Sequence, residues 1–170
     1  FWDGGKNHDV LVSNIDLAGG TSNTNNSSIQ DPDIMLKDQI QPRFNVKEGD
    51  YGIRRITTNP HSSYKLKSDN LFENISTKES VGGYVRRYTT GYHDVVISPA
   101  VSNVYMNNAQ MFNAVVGHEL IHAYHYYTFG AGIIHDAWEA VAYKYSSDKL
   151  LYGGVFRNRN LQEGVSHLLL

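Results

Sequence analysis

The segment Val115–Tyr127, VVGHELIHAYHYY, combines three histidines and one glutamate with residues that are typical of a protein core. His118 and His122 are four residues apart, so on a helix their side chains lie on one face about one turn apart, roughly 5–6 Å. At that spacing both imidazoles can reach one metal ion. Glu119 lies beside this face, where it can reach a water on the metal without becoming a ligand. The spacing therefore predicts a metal site with a neighbouring general base.

The alternative interpretation is a core helix whose histidines are satisfied by ordinary hydrogen bonds, which is the usual explanation for a lone buried histidine. Two histidines and a glutamate at ligand spacing favour the metal site over this alternative. The residues that flank the motif are also uncharged, as a buried metal-binding helix requires; they are Val115, Val116, Leu120, Ile121, Ala123 and Tyr124.

With these uncharged flanks, the HELIH motif resembles the active-site helix of zincin metallopeptidases. The resemblance implies a zincin-like α+β fold, in which a small mixed β-sheet packs on a buried active-site helix and a second helix carries the third ligand. It also implies that one strand edge binds the substrate backbone, and by analogy we expect that strand to be His93–Ser98, HDVVIS. The metzincin class is excluded because its third histidine would stand where this chain has Thr128.

A catalytic zinc takes three protein ligands and keeps one position for water. We expect Glu139 to be the third ligand, since it follows His122 by 17 residues within the largely apolar segment WEAVAY. This arrangement resembles that of the gluzincins, in which a glutamate on a following helix completes the site. The alternatives are Asp136, one turn before Glu139, the adjacent His135, and His125. His125 shares the stripe of the two motif histidines but lies about 10 Å along the axis from the first.

Two further residues are candidates for stabilising negative charge on a substrate oxygen. Tyr143 is one turn beyond Glu139, and a phenol can donate a hydrogen bond to a developing oxyanion. His135, near the start of the second helix, could point at the same oxygen. Each of these residues could equally be a packing residue, and the spacing alone does not separate the two roles.

A narrower resemblance covers residues 90–148. VVGHELIHAYHYY, a short glycine-containing loop and EAVAY are similar to the HExxH toxin domains at the C-terminal ends of bacterial rearrangement-hotspot and other polymorphic toxins. The resemblance implies a secreted or delivered effector whose zinc peptidase attacks a protein of a host or competitor, and a cognate immunity protein. Residues 1–89 do not share it. Because the chain begins at Phe1, we interpret it as a piece of a longer protein.

These observations predict a zinc-dependent endopeptidase with protein or peptide substrates. A zinc hydrolase of a non-peptide amide would use the same residues. A third hypothesis is a metal-stabilised binding module without activity, but a purely structural site has no need of a base such as Glu119 beside its ligands.

Composition excludes several other classes of protein. The chain has 170 residues, enough for a single domain with its own core, and a net charge of −2, which gives no general attraction to nucleic acid. The absence of cysteine excludes disulfides, thiolate metal sites and a cysteine nucleophile. No apolar run approaches the roughly 18 residues of a membrane span. The pairs Arg54–Arg55 and Arg86–Arg87 are expected at solvated strand positions.

The elements that must position the motif change in type along the chain. We expect residues 1–50 to be loop-rich, with a short strand at Val10–Ile15 and a polar loop at Gly19–Ser28. Residues 51–105 are expected to be β-rich, and residues 107–149 to form two helices. The predicted strands are Tyr51–Thr58, Tyr84–Thr90 and His93–Ser98, of which the last two form a hairpin. The predicted helices run from Asn107 to Phe129, apolar nearly all round, and from Asp136 to Lys149.

Overall fold

The computed structural model describes residues 30–102, 109–130 and 135–149, without the side chains of residues 135, 136, 148 and 149. The expected strand Val10–Ile15, the loop Gly19–Ser28 and the predicted helix start at Asn107 lie outside these residues. The described part is a mixture of helix and sheet. In chain order its elements are α1 Pro32–Phe44, a 3-10 turn Asp50–Gly52, β1 Ile53–Thr57, β2 Tyr64–Leu66, β3 Phe72–Asn74, β4 Ser80–Val81, β5 Gly83–Arg87, β6 His93–Ile97, α2 Pro99–Ser102, α3 Ala109–Phe129 and α4 His135–Lys149.

The main sheet has the strand order β1-β6-β5 and is mixed, because β6 is parallel to β1 and antiparallel to β5. The predicted hairpin of β5 and β6 is confirmed. The expectation that His93–Ser98 offers a free edge is wrong, since β6 is the central strand and is paired on both sides. The strand nearest the motif is instead the edge strand β5, whose Gly83 and Val85 are themselves buried.

A second, antiparallel sheet of β2, β3 and β4 lies next to the hairpin. Its core is aromatic: the rings of Tyr64 and Tyr84 stack with centroids 3.9 Å apart, and Phe72 meets Tyr84 edge-on. Val81 and Val96 complete this cluster. The cluster therefore covers the face of β5 and β6 that points away from the long helices.

The expectation that residues 1–50 are loop-rich is wrong for residues 32–44, which form helix α1. Its ends carry clear signals: the side chain of Asp31 accepts a hydrogen bond from the backbone N–H of Asp33, Pro32 occupies the first turn, and Asn45 ends the helix in the left-handed region. Of its side chains, Leu36 and Ile40 are the buried ones. So few apolar positions gave no periodic pattern from which to predict a helix.

Helix α3 lies between the main sheet and α4, and it packs against both. Its first part is buried as predicted, but Tyr124, Tyr127 and Phe129 are exposed, so the helix is not buried all round. The close approach of α4 depends on Gly117, because a Cβ there would collide with the ring of Tyr145. None of the described helices combines the length and the apolar character that crossing a membrane requires.

Candidate metal centre

The two histidines of the motif face the same point in the interior. Both side chains are buried, and the Nε2 atoms of His118 and His122 are 3.0 Å apart. Their ring centroids are separated by 4.7 Å, as expected for residues one helical turn apart. The four-residue spacing alone produces this convergence, because both residues lie within the regular helix α3.

Helix α4 brings the carboxylate of Glu139 to the same point. Its Oε1 lies 3.1 Å from Nε2 of His122, and its Oε2 lies 3.7 Å from Nε2 of His118. One ligand atom from each of the three residues lies within 4.8 Å of the other two, and all three side chains are buried. Two imidazole nitrogens and one carboxylate oxygen are a donor set that Zn²⁺ accepts. This buried group of His118, His122 and Glu139 could therefore hold a metal ion.

The imidazole of His118 is oriented by Ser146, a residue that the sequence analysis did not single out. The Oγ of Ser146 lies 3.0 Å from the carbonyl oxygen of Ala142 and 3.2 Å from that of Ala114, and its hydroxyl donates to one of them. It then accepts a hydrogen bond from Nδ1–H of His118, at 3.1 Å. This tautomer, assigned from the hydrogen-bond network, leaves the lone pair of Nε2 directed toward the centre. A signal was present in the sequence: Ser146 follows Glu139 by seven residues and so lies on the same helical face.

Glu119 is fully buried but lies outside the three-residue group. It occupies the space between α3 and β5, where a Cβ on Gly83 would lie 3.2 Å from its Cγ and 2.9 Å from Cδ1 of Ile97. The absence of a side chain at Gly83 therefore makes room for the side chain of Glu119 between α3 and β5.

Two tyrosines border the centre. Tyr143 is fully buried and meets the ring of His118 edge-on, with centroids 4.7 Å apart. Tyr126 is one turn after His122, and burial together with the nearby carboxylates of Glu139 and Glu119 raises its pKa well above the ordinary value. The structure thus brings Tyr143 to the predicted site and adds Tyr126, which the sequence analysis did not single out.

The remaining candidates are placed differently. His125 is not part of the three-residue group: its ring stacks on Trp138 at 4.9 Å and lies 6.5 Å from the ring of His122. Burial lowers the pKa of His125, which favours a neutral packing residue. The side chains of His135 and Asp136 lie outside the described residues, so their predicted roles stay predictions.

The whole centre is sealed from solvent. The side chains of His118, Glu119 and Glu139 have no exposed surface, and His122 is 1% exposed. Such burial strengthens electrostatic interactions between the centre and any group that binds there.

Comparison of the chain with protein-family models, with curated proteins and with solved structures found no match in any of the three.

Proposed function

We propose that this protein is a zinc-dependent endopeptidase of the zincin type, with His118, His122 and Glu139 as the ligands. The observation that carries the proposal is the buried convergence of these three side chains, together with the burial of Glu119, which follows His118 in the chain but lies outside the ligand group. A carboxylate in that position is what a hydrolytic centre requires and what a purely structural metal site does not.

Zinc in this centre would supply a Lewis acid that polarises both a water molecule and the carbonyl of the peptide bond. Glu119 accepts the proton of the attacking water and later transfers it to the nitrogen of the leaving amine. Ser146 fixes the orientation of the His118 imidazole through Nδ1. Tyr143, in contact with that ring, is the residue we assign to donating a hydrogen bond to the substrate oxygen.

The resemblance of residues 90–148 to HExxH toxin domains supports a more specific context for the proposed activity. In that context the domain is an effector, secreted or delivered, that cleaves a protein of a host or competitor cell, and an immunity protein protects the producer. The modest net charge of −2 is compatible with a protein substrate rather than a nucleic acid.

A second candidate function is a metal-stabilised binding module without catalysis. The observation that favours it is the sealing of the centre, because a peptide must reach Glu119 before it can be cleaved and all four residues are buried. This alternative predicts a metal without an open coordination position, whereas the peptidase predicts one that a water or an inhibitor can occupy.

Elemental analysis of protein purified without added metal tests the first part of the proposal, and one zinc ion per chain is expected. Incubation with a mixture of unstructured proteins, followed by mass spectrometry of the products, tests the second. Bound zinc with no cleavage and no binding of a hydroxamate inhibitor would favour the binding module. A protein that takes up no zinc would refute both candidates. Cleavage of non-peptide amides alone would assign the same centre to a different hydrolase.

A further inference from the structure

The adjacent arginines of β5 lie on opposite faces of the main sheet. Arg86 is in register with Asp94, and its guanidinium lies 5.3 Å from the ring centroid of Tyr88. Arg87 points to the other face, where its guanidinium lies 5.6 Å from the ring centroid of Tyr126 in α3. The expectation of two solvated arginines is therefore wrong, since both are half-buried, and Arg87 lies on the face of the sheet that α3 covers.

The guanidinium of Arg87 and the carboxylates of the centre share one neighbour, Tyr126. The positive charge of Arg87 and the negative charges of Glu139 and Glu119 all act on the hydroxyl of Tyr126. Along β5, the side chain before Arg87 on the same face is Val85, and before it comes Gly83, which contacts Glu119. Arg87 is thus about 14 Å along the strand from Gly83, the strand position that faces Glu119, since a strand advances about 3.4 Å per residue.

Arg87 lacks an anionic partner in the part of the chain that the structure describes. No carboxylate there forms an ion pair with it, and its Nε–H is buried without a hydrogen-bond acceptor. Arg54 of β1 differs in this respect, because it forms a salt bridge to Asp94 with Nη2 to Oδ2 at 2.9 Å. Burying part of a guanidinium without an acceptor costs free energy, and a bound carboxylate would remove that cost.

Arg87 also marks the point where β5 leaves the core. Gly83 to Val85 are buried, Arg86 and Arg87 are half-buried, and Thr89 and Thr90 are exposed. The guanidinium therefore belongs to the half-buried stretch between the buried part of β5 and its exposed end.

We propose that Arg87 binds a carboxylate of the peptide substrate, either an acidic side chain or the C-terminal carboxylate, and so makes substrate binding depend on that carboxylate. This inference rests on the proposed peptidase function and names its substrate class. Because an extended peptide also advances about 3.4 Å per residue, the recognised carboxylate lies on the order of three to four residues from the bond that is cleaved.

The test measures peptide binding by the zinc-loaded Glu119→Gln variant, so that no turnover is needed. The probe is an array of random decapeptides, each as the free acid and as the C-terminal amide. Peptides that carry the recognised carboxylate should bind more tightly than the others. Adding Arg87→Gln should lower their affinity by about tenfold through loss of a charge-assisted hydrogen bond. Arg86→Gln is the matched control, since it removes the same charge from the opposite face, and it should leave the preference intact.

The two forms of the array identify the source of the carboxylate. If amidation removes the preference, the C-terminus is recognised, and if the preference follows internal Asp or Glu, a side chain is. A preference that survives Arg87→Gln, or that is absent altogether, overturns the inference. A change in zinc affinity alone in the Arg87 variant also overturns it, because it would mean that Arg87 only balances the charge of the centre. Failure of the peptidase proposal is visible separately, as absence of hydrolysis by the wild-type protein.

Discussion

Asp94 and Glu139 are both completely buried carboxylates, on opposite sides of the main sheet, and they differ in their partners. Asp94 accepts two hydrogen bonds from Arg54, at 3.1 and 2.9 Å, and one from the hydroxyl of Tyr88 at 2.8 Å. Glu139 instead faces the Nε2 atoms of two imidazoles. Arg54 neutralises the carboxylate of Asp94. The carboxylate of Glu139 instead faces imidazoles, which are groups that can bind a metal ion.

Burial alone therefore does not identify a functional acid, because Asp94 and Glu139 are equally buried. An acid that is paired with arginine and tyrosine is already satisfied and stabilises the fold around it. An acid that converges with imidazole nitrogens, as Glu139 does, forms a group of metal-binding atoms that can accept a cation. We therefore expect substitutions on the Asp94 side of the main sheet to change stability, and substitutions around Glu139 to change metal binding and activity.

The largest expected effect is on activity in Glu119→Gln, which should lose about 10²–10⁴-fold of the rate of peptide hydrolysis while keeping zinc and fold. The amide is nearly isosteric with the carboxylate but cannot accept the proton of the water. The measurement is the rate of hydrolysis together with metal content. Glu139→Gln is the contrasting variant and should lose zinc as well as activity. Hydrolysis at the wild-type rate by Glu119→Gln would show that Glu119 is not the base.

Chelation should lower the melting temperature without unfolding the protein. Zinc that binds the folded state stabilises it by about 2.7 kcal/mol when its free concentration is 100 times the dissociation constant. A core of this size does not need the metal to fold, unlike a zinc finger. Thermal melts of wild type and His122→Ala, each with zinc and with chelator, measure the effect.

The wild type should shift on chelation and His122→Ala should not. His125→Ala is the control, because His125 lies outside the ligand group, and it should shift like the wild type. An equal shift in wild type and His122→Ala would place the zinc elsewhere.

Ser146→Ala should weaken zinc binding by about 10–100-fold, since the variant loses the hydroxyl that orients His118. Competition titration with a zinc chelator measures the affinity, and nitrogen chemical shifts of the imidazole report the tautomer. The adjacent Ser147 is an internal control: it is also buried, but its hydroxyl donates to the carbonyl oxygen of Lys144, so Ser147→Ala should leave zinc affinity unchanged. Equal effects of the two substitutions would argue against a positioning role.

Asp94→Ala should lower the free energy of unfolding by about 1–3 kcal/mol, because Arg54 and Tyr88 lose their acceptor. Zinc content should stay the same. Urea denaturation of the metal-free protein gives the free energy of unfolding. The control is Arg55→Ala, which removes an exposed charge next to Arg54 on β1 and should lower that free energy by less than about 1 kcal/mol. Loss of zinc from folded Asp94→Ala would show that Asp94 also supports the metal centre and is not only structural.

The smallest expected effect is the pH dependence of the free energy of unfolding that His61, on the Asp94 side of the main sheet, contributes. Burial, reinforced by the charge of Arg86, lowers the pKa of His61 below its ordinary value of 6.5, and the attraction of Asp94 only partly opposes this. The unfolded chain therefore binds the proton more readily than the folded one. The stability that neutral His61 contributes is present above pH 6.5 and is lost as the pH falls from 6.5 toward the folded-state pKa.

Urea unfolding of the metal-free protein at pH 7.5 and pH 5.5 measures this dependence. His61→Gln should lose less stability than the wild type between the two values, and some dependence should remain because burial also lowers the pKa of His93. If the variant and the wild type lose stability equally, His61 is not responsible for the acid sensitivity.

The sequence determined the local parts of the candidate site. The spacing of His118 and His122 fixes their convergence because both lie on one regular helix, and the apolar flanks indicate that this helix is buried. The hairpin of β5 and β6 also followed from local pattern and a glycine turn. Glu139 could be selected from its apolar segment, although its distance from the histidines could not be known.

What only the tertiary structure decided depends on contacts between segments that are distant in the chain. The close packing of α3 on α4, made possible by Gly117, sets the 3.1 Å approach of Glu139 to His122 and brings Ser146 to His118. The parallel pairing of β1 with β6 placed β6 in the centre of the sheet, against the expectation of an edge. Side-chain periodicity reports which faces of an element are buried but not which strand is its neighbour. Strand order, and with it the contact of Arg87 with Tyr126 of α3, therefore emerged only from the packed fold.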